Sequence, residues 1–472
     1  MCTRRRRGGS RGEDDGAVRN GGLTRRWRCG VRRRALRRTA SSCIERRETD
    51  GCGHRPGIPW ESDMRKMTAV SGSWRAVMAV ALTGCGAGGS GAVAGPAPTP
   101  VPTPTPTPTA TASPAADTAM TFAVTIAPGW NLGNSLEAIG SAAKPTATSQ
   151  ETAWGNARVT QAMLTAVAAA GFRSVRIPIA WNQYAAADDT IGAAWMARVV
   201  EVVGYARNAG LKVVINVHWD GGWQQPTYAA QAMANARLAK FWTQIATTFR
   251  DQDDTLLFAG TNEVMVTDVY SAPTPENCAV QNGFNQKFVD TVRATGGRNA
   301  TRFLVVQAYN TNIDHAVSCN ATMPRDPATG RMMMEVHYYD PYDFALNEKS
   351  DIWQWGATAT DPARTQAWAN EAYTDAQFQK MKVAFVDKGV PVLLGEYSAI
   401  AKTEYDPAGT YRTRWDRYIT ASAVKHGMVP MYWDNGVTAN HGSGLFDRAT
   451  ATRAHSGVID AIVAGAKEGA QR

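Results

Sequence analysis

From about residue 121 onward, one pattern of apolar and polar positions recurs: a helical stretch, a glycine, and a short apolar run. Val159, Met163, Leu164 and Val167 fall on one face at a period near 3.6, Gly171 ends the stretch, and SVRIPI at 174–179 reads as a strand. Val199, Val202, Val203 and Ala206 repeat the face, Gly210 ends it, and LKVVINVH follows at 211–218. Phe378, Met381 and Phe385 precede Gly389 and PVLLGE at 391–396, and Gly427 leads into MVPMYW. Leu238, Phe241, Trp242 and Ile245 lie at i, i+3, i+4 and i+7, which assigns Trp242 to a packed helix face.

Strands that read as unbroken apolar runs between helices imply a parallel sheet covered on its outer faces. Strand candidates start near Phe122, Val175, Val213, Leu256, Phe303, Met333, Val392 and Val429. Eight of them in one α/β segment favour a closed (β/α)8 TIM barrel over an open doubly wound sheet. No Gly-rich phosphate loop opens a helix, which counts against a dinucleotide fold. The predicted catalytic domain spans 121–468.

The chain upstream is different in kind. Residues 86–120 are Gly/Ala/Ser and then PAPTPVPTPTPTPTATASPA, a Pro/Thr-rich linker expected to be extended polyproline II. Residues 64–85 read as an export signal: basic Arg65 and Lys66, an apolar AVMAVAL at 76–82 too short to span a bilayer, and then Leu82-Thr83-Gly84-Cys85. That tetrapeptide resembles the bacterial lipobox, in which the cysteine is acylated and becomes the mature N-terminus; cleavage of an ordinary signal a little further on is the alternative.

Charge changes the picture only in the leader. The formal net charge is +9, but residues 1–66 hold 19 Lys+Arg against 8 Asp+Glu, leaving 31 against 33 for the rest. Residues 1–63, with RRRR at 4–7 and RRR at 32–34, read as a disordered Arg-rich leader. Upstream translation, with the true start at Met64 or Met67, explains it better than a nucleic-acid-binding arm. Of seven cysteines, only Cys278 and Cys319 fall in the predicted barrel, and an exported domain is expected to pair them.

In a barrel the C-terminal strand ends share one mouth, where active sites assemble. The first strand ends in GWNLGNSLEA at 129–138, the third in His218-Trp219-Asp220, and the fourth in Thr261-Asn262-Glu263. The sixth ends in EVHYYDPYDF at 335–344, the seventh in Gly395-Glu396-Tyr397, and the eighth in Tyr432-Trp433-Asp434, while Arg176 lies within the second. Glu263 and Glu396 thus stand on opposed strands. Cleaving a glycosidic bond requires two carboxyls flanking it, one to protonate the leaving oxygen and one to attack the anomeric carbon or activate water.

The segments GWNLGNSLEA, GFRSVRIPIAW, INVHWDGGW, LLFAGTNEV, EVHYYDPYDF, LLGEY and MYWDNG, in this order, resemble the cellulase (endo-β-1,4-glucanase) branch of glycoside hydrolase family 5. The resemblance covers essentially all of the predicted barrel. It implies that Glu263 is the acid/base and Glu396 the nucleophile of a retaining double displacement, with carboxyls roughly 5 Å apart. Arg176 would hold Glu396 ionised, and a second negative charge nearby would keep Glu263 protonated. The resemblance places His337 near Glu263 and Tyr339 near Glu396, Asn262 on the sugar 2-hydroxyl, and His218 in the same subsite. Sugar faces stack on aromatic planes; Trp433 is the expected platform, with Asn134, Trp181, Trp219 and Trp223 lining further subsites unless they are core. Two positions depart from the family pattern: Trp219 stands where many members have a second His, and Val264 follows the acid where Pro is usual.

His218 and His337 lack helical i, i+4 spacing and no cysteine joins them, so no metal and no cofactor are expected. The expected partner is a β-glucan such as cellulose or mixed-linkage glucan, with no nucleic acid, a monomeric chain, and membrane contact only through Cys85. Export implies a cell-surface or periplasmic lipoprotein, or secretion. Mannan and xyloglucan are alternatives within the same mechanism. A carbohydrate-binding barrel without catalysis would be expected to lack Glu263, Glu396 or Arg176, and all three are present.

Overall fold

The computed structural model describes residues 118–140, 150–218, 220–319 and 322–471. The leader, the export signal with Cys85, nearly all of the linker, and Trp219 lie outside the described residues.

Eight strands, β1 (Gly129–Leu132), β2 (Ser174–Ile177), β3 (Lys212–Asn216), β4 (Leu256–Ala259), β5 (Leu304–Gln307), β6 (Met332–His337), β7 (Val392–Tyr397) and β8 (Met428–Asp434), form a closed barrel in sequence order. Every neighbouring pair is parallel, and β8 returns to β1 with Gly129 opposite Met431 and Leu132 opposite Asp434.

The helices, in chain order, are α1 (Ala119–Ala123), α2 (Gln161–Ala169), α3 (Ala193–Asn208), α4 (Tyr228–Thr248), α5 (Pro275–Ala294), α6 (Ile313–Cys319), α7 (Tyr342–Ala345), α8 (Glu371–Ala384), α9 (Thr410–Lys425) and α10 (Ser456–Ala470). Local chemistry sets where they start. The Thr274 side chain accepts the Asn277 N–H and Pro275 occupies the first turn of α5, while Thr227 and Asn370 cap α4 and α8 in the same way. Gly171, Gly210, Gly389 and Gly427, each at positive φ, reverse the chain between helix and strand. The helical faces read from the sequence are buried, with Leu238, Phe241, Trp242 and Ile245 of α4 fully inaccessible. Cys278 of α5 and Cys319 of α6 are joined by a disulfide, their Cα atoms 5.1 Å apart.

One element differs from the sequence reading. The apolar run at Phe122 is not the first strand but the helix α1; β1 begins at Gly129. The Thr118 hydroxyl accepts the Thr121 N–H and the Thr121 hydroxyl accepts the Thr118 N–H, a capping box that closes a turn where a strand would extend. A short apolar run fits a buried strand and a buried helix equally, and tertiary packing decides. Ala119, Ala123 and Ile126 pack against Val214, Leu257, Val305, Met333, Leu393 and Val429 of the barrel interior, and the Phe122 ring stacks on Phe303 at 4.5 Å. The segment plugs the bottom of the barrel.

Candidate active site

Side chains alternate in and out along a strand, so Asn131 on β1, Arg176 on β2 and Glu335 and His337 on β6 face the barrel interior near its mouth. Glu396 reaches the same place by a different device. Along β7 the register runs Leu394 opposite Val336 and then Glu396 opposite His337, so β7 has one extra residue. The bulge lets Gly395 and Glu396 both face inward. Tyr397 turns outward, its ring packing on Trp415 and Tyr432 and its hydroxyl 2.6 Å from Thr420 Oγ1.

Arg176, fully buried, organises the centre. Its Nη1 donates to Glu396 Oε1 at 2.9 Å and to Asn131 Oδ1 at 3.0 Å, and its Nη2 to Asn262 Oδ1 at 2.5 Å. Its Nε pairs with Glu335 Oε1 at 2.9 Å as an ion pair without hydrogen-bond alignment. Burial alone would lower the guanidinium pKa, but the charges of Glu335, Glu396 and Glu263 outweigh it and raise it further.

Glu396 also accepts the Tyr339 hydroxyl on Oε2 at 3.1 Å. Its carboxyl is raised above the usual carboxylate range, not lowered as the sequence reading expected from Arg176. Burial is the larger influence; His337 and Arg176 oppose it, while Glu263 and Glu335 add to it.

Glu263 stands past the end of β4 in the left-handed region, at φ 47°, with its side chain 42% exposed. A non-glycine residue held there is strained, a condition found at functional sites. Its Oε1 lies 2.7 Å from His337 Nδ1, and His337 Nε2 lies 3.3 Å from Glu335 Oε1 and 3.7 Å from Glu396 Oε1. Burial pulls the His337 pKa down, but Glu396 and the bonds to Glu263 and Glu335 outweigh it and raise it to about 9. Carboxylate oxygens of Glu263 and Glu396 lie within 4.8 Å of each other, with the His337 ring between the same limits. These three could offer ligand atoms to a cation, and here His337 Nδ1 and Glu263 Oε1 are hydrogen-bonded to each other at 2.7 Å.

His218 is held well below its usual pKa by burial first and by Arg176 second, which keeps it neutral. Asn216 Oδ1 accepts the Ile179 N–H, so its Nδ2 donates to His218 Nδ1 at 3.0 Å. Asn262 Oδ1 accepts from Arg176, so its Nδ2 faces His218 Nε2 at 3.4 Å, and the ring is held between two amide groups. The Trp433 ring lies parallel to His218, 6.0 Å between centroids and 12° between planes. A Cβ on Gly133 would meet the Trp433 ring at 2.8 Å, so the GNS segment needs glycine there for the indole to lie flat.

The remaining residues singled out from sequence separate into different places. Trp181 is fully buried in the core, its Nε1 donating to Asn216 O at 2.9 Å; it supports the strand from behind and lines no subsite, because a wide apolar ring beside β2 is claimed by helix packing. Trp223 packs edge-on against Phe241 at 5.8 Å beneath the Arg237 guanidinium, joining α4. Asn134 sits in a left-handed turn tied through its N–H to Glu137 and through its carbonyl to Asn156. From that segment Asn131 reaches the charged centre, its Nδ2 also donating to Gly395 O at 2.8 Å.

Sequence reasoning missed Asn131, Glu335 and a supporting tie. Glu335 is two residues before His337 and therefore on the same side of β6, a signal that was available. Asp434 accepts from Trp130 Nε1 at 3.0 Å and from Arg448, which also donates to Gly133 O at 2.6 Å, fixing the floor beneath Trp433. Arg448 lies beyond the recognisable motifs and no local pattern marks it.

Comparison with known proteins gives concordant findings. The sequence model of the family Cellulase (glycosyl hydrolase family 5) matches residues 137–439. Endoglucanase A of Paenibacillus barcinonensis is 40% identical over 366 residues, covering 74% of this chain and 90% of its own. The xyloglucan-specific endo-beta-1,4-glucanase of Bacteroides ovatus is 42% identical over 359 residues, covering 74% of this chain and 70% of its own. A solved structure of a Bacteroides ovatus family 5 xyloglucanase, in complex with a XXXG heptasaccharide, superposes with a TM-score of 0.70 at 40% identity, over 75% of this chain and 77% of that one.

Proposed function

The chain belongs to glycoside hydrolase family 5, and on that premise we propose that it cleaves internal β-1,4 bonds of glucans with retention, using Glu263 as acid/base and Glu396 as nucleophile. The observation that carries this reading is the carboxylate pair within 4.8 Å, the spacing of covalent catalysis; inverting enzymes need about 6.5–9.5 Å to admit a water.

In the first step Glu396 Oε attacks the anomeric carbon, the glycosidic C–O bond breaks, and Glu263 gives its proton to the departing oxygen. Arg176 and Tyr339 aim the nucleophile, each from one carboxylate oxygen. In the second step Glu263 takes a proton from water, whose oxygen attacks the anomeric carbon and releases Glu396. Asn262 and His218 are set to contact sugar hydroxyls, and Trp433 to receive an apolar sugar face.

Glu396→Ala should lower the hydrolysis of β-glucan by about 10⁴-fold or more, the scale of losing a covalent nucleophile, while circular dichroism stays native. Proton NMR of the first product formed by the native enzyme should show the β-anomer. Full activity in the variant, or an initial α-product, would sink the assignment.

The relatives divide between endoglucanase and xyloglucan-specific enzymes, and both backbones are β-1,4-glucans. The substrate in this reading is a β-glucan such as cellulose or mixed-linkage glucan, acted on by a monomer, with xyloglucan the alternative that the second relative suggests. The enzyme is exported and anchored through acylated Cys85, with the Pro/Thr linker as spacer. Mass spectrometry of the membrane fraction should find a diacyl or triacyl group on Cys85; an unmodified mature start beyond it would argue for plain secretion.

A further inference from the structure

Glu335 is a fully buried carboxylate that touches neither of the proposed reacting positions directly, yet contacts a neighbour of each. Its Oε1 pairs with Arg176 Nε at 2.9 Å and with His337 Nε2 at 3.3 Å. Arg176 in turn holds Glu396, and His337 holds Glu263. The room for this carboxylate is made by Gly395, where a Cβ would fall 2.1 Å from Glu335 Oε1. The glycine beside the nucleophile is thus required by the carboxylate on the next strand.

We propose that Glu335 is a positioning residue that retains the acid proton on the Glu263–His337 pair and keeps Arg176 paired throughout the reaction cycle. This rests on the roles of Glu263 and Glu396 given above.

The argument follows the charges. Glu335 accepts the Nε2–H of His337, which fixes the ring so that Nδ1 faces Glu263; the two groups then share one proton along a 2.7 Å contact. An anion behind the imidazole makes it more basic and makes loss of that proton less favourable. The groups facing the pair are Arg176 from β2, His218 from the end of β3, Asn262 beside Glu263, Gln307 opposite Glu335 on β5, Tyr339 from the β6 end, and Glu396 from β7. Among the described residues facing it, Glu335 and Glu396 are the anions besides Glu263 itself, and Glu396 loses its charge when the glycosyl ester forms. Arg176 and His337 would then face each other without a permanent counter-charge. Glu335, which forms no bond to substrate, supplies it in both half-reactions. Arg176 and His337 together hold Glu335 below its usual pKa despite its burial, so it stays ionised across the working range.

Glu335→Gln keeps the shape and removes the charge. Its kcat/KM should be followed from pH 4 to 10 on two aryl β-cellobiosides, one with a poor phenol leaving group and one with dinitrophenol, whose departure needs no proton. On the poor leaving group the alkaline limb should move down by about one pH unit or more, a loss of about tenfold at pH 8 relative to the native enzyme. On the dinitrophenyl substrate the loss at that pH should be less than threefold. An unshifted limb, or equal losses on both substrates, overturns the proposal. Glu335→Asp retains the charge and should restore the alkaline limb; if it shifts as Glu335→Gln does, or as native packing loss alone would dictate on both substrates, charge is not the agent. Native hydrolysis and the Glu396→Ala loss test the underlying roles separately, so either reading can fail alone.

Discussion

Val214, Val305, Met333 and Leu393 line the lower barrel interior against the plug helix α1, and two residues further along the same strands stand Asn216, Gln307, Glu335 and Gly395. One pleat repeat, about 6.6–6.8 Å, separates a hydrocarbon layer from a layer that carries a charged network. The lower layer is held by burial of apolar surface, which is non-directional and tolerates exchange of shape. The upper layer is held by named contacts: Arg176 donates hydrogen bonds to Asn131, Glu396 and Asn262 and forms an ion pair with Glu335. A buried charge is acceptable only where it is paired.

Moving a charge down by one layer therefore gives the largest effect. Val305→Asp would set a carboxylate among the apolar side chains of Leu257, Met333 and the plug. We expect a loss of about 3–5 kcal/mol or more, a large share of ordinary domain stability, seen as a lowered urea midpoint or insoluble expression. A midpoint equal to that of the native protein would show that the two layers do not differ in the way described.

The next effect concerns the charge that the upper layer stores on His337. Its pKa is about 6.5 in an unfolded chain and about 9 in the fold, so the native state binds the extra proton between those values. The stabilisation is fully present below pH 6.5 and is lost as pH rises through 9. Its size is at most on the order of 3 kcal/mol. Urea midpoints of the native protein and of His337→Asn, taken from pH 6 to pH 10, should converge as pH rises. A gap that stays constant or widens would contradict the assignment of the charge to this site.

These two layers were unequally legible in the sequence. The strands could be read because both faces of a barrel strand are apolar over most of its length, and the glycine stops between helix and strand require positive φ at Gly171, Gly210, Gly389 and Gly427. Glu263 and Glu396 could be read from the strand ends and the family resemblance. The bulge that turns Glu396 inward could not, because strict alternation from Leu393 would have pointed Tyr397 into the mouth and Glu396 away. The sign of the Glu396 shift was also missed: an arginine neighbour can be inferred from sequence, but the depth of burial that outweighs it cannot. Trp181 shows the same limit, since an aromatic residue beside the mouth and one beneath it look alike until packing is known.

Phe122 is where the lower layer can be sharpened, and where the expected effect is smallest. As the first residue of a barrel strand it would be indispensable, because its removal would open the ring of eight. As part of α1 it only covers an already closed barrel, stacking on Phe303 at 4.5 Å from a partly exposed position. Phe122→Ala should therefore cost about 2 kcal/mol, less than truncating a fully enclosed ring, because part of the surface is already in water. Hydrolysis per folded molecule should be unchanged, since the plug and the carboxylates occupy opposite ends of the interior. A urea titration combined with a rate measurement on the folded fraction separates the outcomes. Loss of both stability and rate would mean that the plug transmits order into the charged layer, where Arg176 and Glu335 stand; loss of stability alone would establish that the apolar end carries the fold while the charged end carries the chemistry.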